Sequence, residues 1–99
     1  MRIQFEDDDL RRLYTEADFH MPGMGPDVVK HFRRKMAIVD AAVDERDLRA
    51  MRSLRLEKLV GDRAGQHSIR LNDQWRLIVR FETDDDGRVA MIIEVVDYH

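Results

Sequence analysis

The order of apolar and polar positions predicts a strand and two helices in the first half of the chain. Residues 2–6, RIQFE, alternate in the manner of a short half-buried strand. The next stretch, DDDLRRLYTEA, predicts a helix with Asp7 or Asp8 as its N-terminal cap. Pro26 suits the first turn of a second helix. In that helix apolar residues recur at spacings of three and four: Val28, Val29, Phe32, Met36, Val39 and Val43.

The second half of the chain changes to the pattern of strands. DAAVDERDLRAM ends the second helix and adds one short turn, and LRLEKL then alternates weakly. HSIRL and WRLIVRFE flank the short turn NDQ as in a hairpin, and RVAMIIEVV follows the turn TDDDG as the last strand. The pattern predicts an α+β fold: a small, mainly antiparallel β-sheet with two N-terminal α-helices packed on one face, in the order β-α-α-β-β-β.

The length of 99 residues predicts a single domain spanning residues 1–99. No apolar run approaches the roughly 20 residues that cross a bilayer, and the N-terminus turns acidic at once, unlike a signal peptide. The absence of cysteine excludes a disulfide framework and a thiolate metal site. We therefore expect a cytoplasmic protein that makes no membrane contact.

The net charge of −3 conceals a division along the chain. Residues 30–80 carry a local charge of +6, whereas residues 1–29 carry −4 and residues 81–99 carry −5. A basic middle between acidic ends is typical of a protein with a phosphate-facing surface. Ordinary solvated charge is the alternative interpretation of this composition.

The histidines and acidic clusters predict no metal site and no cofactor. The spacings of His20, His31, His67 and His99 do not match those of zinc ligands. The DDD at 84–86 lacks the spaced acids of a calcium loop and is better explained as a hairpin turn. The chain also has no glycine-rich phosphate loop.

The arginines carry more information about function. Eight cations fall between positions 49 and 80: Arg49, Arg52, Arg55, Lys58, Arg63, Arg70, Arg76 and Arg80. An even separation places Arg76 and Arg80 on one strand face with Ile78 between them, and Arg70 lies on the neighbouring strand. Guanidinium groups on a sheet face either bind phosphate in an open cleft or form a ladder of salt bridges, and spacing does not distinguish the two.

The sequence ends in Asp97, Tyr98 and His99, directly after the predicted last strand. If that strand pairs beside WRLIVRF, these side chains lie near some of the arginines. An imidazole, a phenol and guanidinium groups can together cleave RNA without a metal ion. A base removes the 2′-hydroxyl proton, cations stabilise the phosphorane, and an acid protonates the 5′-oxygen.

Three motifs together carry a family resemblance: KLxGDRxGxxSIR, WRLxxRFE and the final VVDYH. With them the sequence resembles the HigB-like toxins of the RelE/ParE superfamily, over nearly its whole length. The resemblance implies a RelE-like fold and a ribosome-dependent endoribonuclease that cuts messenger RNA in the ribosomal A site. It also implies a HigA-like helix-turn-helix antitoxin as partner, with operator DNA contacted through that antitoxin.

The same resemblance implies which residues act. The family's terminal acid, tyrosine and histidine match Asp97, Tyr98 and His99, and the arginine after the strand tryptophan matches Arg76. In this hypothesis His99 is the general acid or base, Tyr98 positions or stacks on a base, Arg76 holds the scissile phosphate, and Asp97 orients its neighbours. Further candidates for RNA or ribosome contact are Arg63, Lys58 and Arg70.

Two positions depart from the family pattern. Many members carry histidine at the place of Glu57 and lysine at the place of Val60. This exchange loses a cation and gains an anion, so it favours a degenerate toxin that only binds its antitoxin. A non-catalytic ParE-like gyrase poison is the other alternative, although such a binder has no need for the Tyr-His pair.

Overall fold

The computed structural model describes residues 1–98, and His99 lies outside the described residues. It confirms the α+β class and the predicted order of elements, to which it adds a third short helix and one strand of two residues. The helices and strands are β1 Arg2–Phe5, α1 Asp8–Thr15, α2 Pro26–Ala41, α3 Glu45–Ala50, β2 Glu57–Lys58, β3 His67–Arg70, β4 Trp75–Asp84 and β5 Gly87–Asp97. Two 3-10 turns, Arg52–Leu54 and Gly61–Arg63, flank β2.

The strands form one sheet in the order β1-β5-β4-β3-β2. All neighbours pair antiparallel except β1 and β5, which run parallel. The long hairpin of β4 and β5 pairs Asp84 with Gly87 at its turn and Trp75 with Asp97 at its open end, with a register shift at Ile78/Val79. The last residues of β5 therefore lie beside the first residues of β4. This pairing was the condition for the terminal side chains to lie near the arginines.

The helices begin where the sequence predicts them. The Asp7 side chain accepts hydrogen bonds from the Asp9 and Leu10 amides at 2.8 and 3.3 Å, so it caps α1. Pro26 is the first residue of α2. Arg33 of α2 satisfies carbonyl oxygens at the end of α1, because its guanidinium donates to Leu13, Glu16 and Ala17.

The helices cover one face of the sheet and leave the other face to polar residues. The buried core joins helix residues to sheet residues: Leu10, Leu13, Phe32, Met36, Val39 and Leu48 with Ile69, Leu77, Val79, Ala90 and Ile92. Because side chains alternate along a strand, Arg76, Ile78 and Arg80 lie on the face away from the helices. The predicted grouping of these three residues is therefore confirmed.

One local prediction is wrong, and another holds only in part. Helix α2 ends at Ala41, and Val43 is 75% exposed rather than part of the apolar stripe. The Val43 amide instead donates to Asp47 Oδ2 at 2.9 Å, in the link to α3. The weakly alternating LRLEKL contributes only Glu57–Lys58 to the sheet, because Leu54 closes a 3-10 turn and Arg55 takes a left-handed conformation with φ 46°.

The surroundings of His67 on β3 favour its neutral form. Its ring meets Phe81 edge-on with the centroids 5.2 Å apart, and its Nδ1 is buried without a hydrogen-bond partner. Burial is the main cause that lowers the pKa of His67. Three nearby cations lower it further and one carboxylate opposes them: Arg49, Lys58, Arg88 and Glu45.

This environment predicts a pH dependence of stability. The unfolded chain takes up a proton at His67 near pH ~6.5, whereas the folded protein resists it, so acidification favours unfolding. We expect the urea midpoint of the wild type to fall between about pH 7.5 and 5.5, and that of His67→Gln to fall less. His20→Gln, at an exposed loop histidine, is the control. Equal midpoint changes in wild type and His67→Gln would contradict the assignment.

Candidate active site

Arg76 is a buried cation that forms no hydrogen bond or ion pair with the described residues, 1–98. It is the second residue of β4 and is only 8% exposed. Its Nε and Nη1 atoms are buried and make no hydrogen bond. A buried charge that lacks a counter-ion costs a folded protein several kcal/mol of stability. The position therefore favours the binding of an anionic ligand.

Tyr98 covers this guanidinium. The Arg76 Cζ lies 4.7 Å from the centroid of the Tyr98 ring, a cation–π contact that offsets part of the desolvation of the cation. The ring itself is 52% exposed, so its outer surface is open to a ligand. An aromatic ring beside a guanidinium is the combination that binds a nucleotide, with the base on the ring and the phosphate on the cation.

Gln74 anchors the tail that carries Tyr98. The Tyr98 amide donates to the Gln74 carbonyl at 2.7 Å, and Gln74 Nε2 donates to Asp97 Oδ2 at 2.9 Å. Asp97 pairs with Trp75 in the ladder, and Trp75 packs against the core, so alternation places Asp97 on the helix side of the sheet. Asp97 therefore connects to the Arg76 face through Gln74, consistent with a positioning role.

Arg70 lies directly opposite Arg76 in the β3–β4 ladder. Like charges opposed across a sheet are destabilising unless a carboxylate or a ligand intervenes. Arg70 forms an ion pair with Asp73 in the adjoining turn, whereas Arg76 has no such pairing within residues 1–98. The pair of arginines concentrates positive potential where an anion can meet both.

Arg63 and Lys58 lie on opposite faces of the sheet. Arg63 reaches the Arg76 face, where it binds Glu94 of β5 and donates to Gln66 Oε1 at 3.1 Å. Lys58 pairs with His67 in the β2–β3 ladder and so lies on the helix side of the sheet. The structure therefore brings Arg76, Arg70, Arg63 and Tyr98 to one face and leaves Lys58 outside that group.

Ser68 is a polar residue on this face that the sequence interpretation missed. It is 1% exposed, and its Oγ is buried without a partner. It pairs with Ile78, one alternation step from the pair of Arg70 and Arg76. Alternation along HSIR already places Ser68 and Arg70 on the same face, so the strand pattern contained this information.

Glu57, the departure from the family pattern, also faces the site. It pairs with Ser68 in the β2–β3 ladder, so it shares the face of Arg76, and it is exposed. Within residues 1–98 no ion pair joins Glu57 to Arg55 or Arg76. Val60, the other departure, is 85% exposed.

Two hollows in the surface lie away from the Arg76 face. A cavity of about 480 Å³ lies between the α1–α2 loop and α2, and a groove of about 620 Å³ lies beside β1, but Arg76 and Tyr98 line neither. Residues 1–98 contain no group of three side chains able to hold a metal ion. In the same range, no helix is long and apolar enough to cross a membrane.

The architecture matches that of solved structures. A YoeB/ParE toxin from Agrobacterium tumefaciens matches over 100% of both chains with a TM-score of 0.57 at 18% identity. The YoeB-YefM complex from Staphylococcus aureus matches over 100% of this chain and 97% of its own with a TM-score of 0.58 at 20% identity. The fold is that of the RelE/YoeB toxins.

The sequence comparisons narrow this class to a family. The model of the HigB-like toxin family, described as the RelE-like toxin of the type II toxin-antitoxin system HigB, matches residues 3–99. Toxin HigB-1 of Vibrio cholerae serotype O1 is 37% identical over 82 residues, or 82% of this chain and 84% of that protein. An uncharacterized protein of Haemophilus influenzae is 32% identical over 85% of this chain and 82% of its own. The chain belongs to the HigB-like family of type II toxin–antitoxin toxins.

Proposed function

We propose that this toxin is a ribosome-dependent mRNA endonuclease that acts in the cytoplasm as a single domain spanning residues 1–99. The observation that carries the proposal is the Arg76 guanidinium, which lies beneath the exposed Tyr98 and whose Nε and Nη1 are buried with no hydrogen-bond partner among the described residues. A phosphodiester supplies the anion that Arg76 lacks and a base for the aromatic ring. Cleavage inhibits translation and growth.

The proposed reaction uses the 2′-hydroxyl of the message as nucleophile. His99 takes up or delivers the transferred proton as general acid or base, and Arg76 stabilises the negative charge of the phosphorane. The 2′-oxygen bonds to phosphorus as the 5′-oxygen leaves with a proton, so the products are a 2′,3′-cyclic phosphate and a 5′-hydroxyl. Tyr98 holds a base, and Asp97 orients the tail through Gln74. These groups supply the chemistry without a metal ion.

A second group of cations supports docking on ribosomal RNA. Its members are exposed, lie in one segment of ten residues and form no ion pair with a carboxylate within the described part of the chain: Arg49, Arg52, Arg55 and Lys58. Free surface cations release counterions when they meet a phosphate backbone, and this drives sequence-independent RNA binding. Lys58 thus belongs to docking, and Arg63 and Arg70 belong to contact with the message.

A HigA-like helix-turn-helix antitoxin is the proposed partner, and the complex contacts operator DNA through it. The antitoxin partnership is supported by the family and by two solved neighbours that are toxin–antitoxin complexes, including a heterotetrameric YoeB-YefM assembly from Staphylococcus aureus. Free toxin acts on the ribosome, and antitoxin-bound toxin does not.

Two rival functions make different predictions in one experiment. A gyrase poison breaks DNA and leaves messages intact, and a degenerate toxin, which Glu57 and Val60 favour, changes neither. We expect induced expression, followed by sequencing of RNA 5′ ends, to show new ends confined to translated regions. Blocking initiation on a reporter message should remove its cuts. DNA breaks with intact messages would support the gyrase alternative, and intact RNA and DNA would support the degenerate toxin.

Restoring the family pattern should strengthen the enzyme. Glu57→His with Val60→Lys raises the local charge by two with neutral histidine, next to the Arg76 face. Each new contact with RNA is worth roughly 1 kcal/mol, so we expect single-turnover cleavage on ribosomes to rise several-fold at an unchanged melting temperature. Asp85→Asn with Asp86→Asn, in the exposed β4–β5 turn at the far end of the hairpin, also raises the charge by two and is the matched control. A lower melting temperature without faster cleavage would make Glu57 structural.

A further inference from the structure

Ile78 is buried on the face that the helices do not cover. It is 2% exposed, yet it is absent from the cluster that joins the helices to the sheet. Ser68, its partner on β3, is 1% exposed on the same face. Another segment must therefore cover the centre of this face.

The loop of residues 59–66, which we call the clamp loop, reaches over this face through the side chain of Arg63. It connects β2 to β3, at the edge of the sheet farthest from β1. Arg63 of this loop nevertheless binds Glu94, which lies on β5 and pairs with Ile78. Strands are spaced about 4.8 Å apart, so Arg63 reaches across β3 and β4, roughly 10 Å, above Ile78.

The clamp loop is closed at its base and open along its outer side. The Leu59 amide donates to the Gln66 carbonyl at 2.9 Å, which ties the two ends together. Gly61 and Gly65 flank Arg63 with φ of 65° and 89°, a conformation that glycine adopts at little cost. A Cβ atom added at either glycine would meet no atom within 4 Å, so the backbone of the loop is open to solvent at these two positions.

The interaction that holds the clamp loop across the sheet is exchangeable. The side chains of Arg63 and Glu94 are 37% and 45% exposed, and such ion pairs contribute only about 0–1 kcal/mol. A phosphate offers the same guanidinium a bidentate, charge-assisted contact. Glu94 lies two residues from Val96, which pairs with Arg76, so the ion pair is about 7 Å along the strand from the buried guanidinium.

We propose that the clamp loop provides a second phosphate-binding site, in which Arg63 exchanges Glu94 for an RNA phosphate next to the one held by Arg76. Glu94 holds Arg63 over the sheet in the free protein and competes with the message for it. The proposal rests on the proposed function, because it takes RNA on the ribosome as the ligand. It makes Glu94 a residue that weakens binding, unlike Arg63 and Arg76.

A double-mutant cycle tests the exchange. The ligand is a ribosome programmed with a message whose cleavage-site 2′-hydroxyl is replaced by hydrogen, so that affinity is measured without cleavage. We expect Glu94→Gln to tighten binding by about three- to tenfold, since the charged competitor is gone. Arg63→Gln should weaken binding, and Glu94→Gln should have no effect in the Arg63→Gln background. Glu82→Gln, on the same face but paired with Arg80, controls for the loss of one negative charge.

The outcomes separate the two proposals. Equal tightening by Glu94→Gln in both backgrounds, or by Glu82→Gln, means a general charge effect and overturns the clamp. Unchanged or weaker binding of Glu94→Gln makes the Arg63 pair structural and also overturns it. If Glu94→Gln tightens binding only when Arg63 is present, but the wild type does not cleave the unmodified message, only the proposed endonuclease function is overturned. If the wild type does not bind the programmed ribosome, both proposals are overturned.

Discussion

Arg76→Met should reduce single-turnover cleavage by about 10²–10³ while leaving the protein as stable as the wild type, or more stable. The two effects have one cause. The Nε and Nη1 groups of Arg76 are buried without partners, so the folded protein loses little when an apolar side chain of similar length replaces them. The phosphorane loses the cation that stabilises its charge. Single-turnover cleavage on saturating programmed ribosomes measures the effect on rate, and thermal melting measures the effect on stability.

The matched control is Arg80→Met. Arg80 shares the strand and the face of Arg76, but Glu82 binds it at 2.5 Å and Glu6 at 3.2 Å. We expect Arg80→Met to leave the cleavage rate nearly unchanged. Arg76→Lys should restore part of the rate, because lysine keeps the charge without the planar fork. Full cleavage by Arg76→Met, or slow cleavage that parallels a lower melting temperature, would make Arg76 a structural residue.

His99→Ala should lower the cleavage rate by about 10²–10⁴, the usual effect of losing a general acid or base. The assignment comes from the family tail, since His99 lies outside the described residues. Imidazole titrates near pH ~6.5, so the wild-type rate should show a limb in that region that His99→Ala lacks. Arg76→Met should keep this pH dependence at a reduced rate, because Arg76 stabilises the charge of the phosphorane and takes no part in proton transfer.

His20→Ala, at an exposed loop residue, is the control for His99→Ala. Ribosome affinity should remain close to that of the wild type in both variants, because proton transfer contributes to the chemical step. A His99→Ala protein that cleaves at the wild-type rate, with the same pH profile, would sink the general acid or base assignment.

The sequence predicted the elements whose pattern is local. Asp7 as cap, Pro26 at the start of α2 and the β3–β4 hairpin all depend on neighbours in the chain, and all are confirmed. Val43 fits the helical spacing but lies beyond the end of α2. Its amide donates to Asp47, in the turn towards α3, and spacing alone does not contain that choice.

In the candidate site, too, spacing along the sequence does not show which contacts the side chains make. Even spacing placed Arg76 and Arg80 on one face. Glu82, two residues along the same strand, binds Arg80, but the second carboxylate at Arg80 comes from a distant part of the chain. This carboxylate belongs to Glu6, which follows β1. No residue between 1 and 98 forms an ion pair with Arg76. The contact of Arg63 with Glu94 joins positions 31 residues apart and reaches across β3 and β4. Which arginine remains available to a ligand is therefore a property of the folded protein.

Cleavage of a defined message on purified ribosomes tests the central claim most directly. We expect the wild-type toxin to cut an end-labelled message within the A-site codon and to leave a 2′,3′-cyclic phosphate and a 5′-hydroxyl. Replacing the attacking 2′-hydroxyl with hydrogen should stop the cut, and the same message without ribosomes should remain intact. A cut that persists on the 2′-deoxy message, equal cutting of the free message, or no cut on the programmed ribosome would contradict the proposed function.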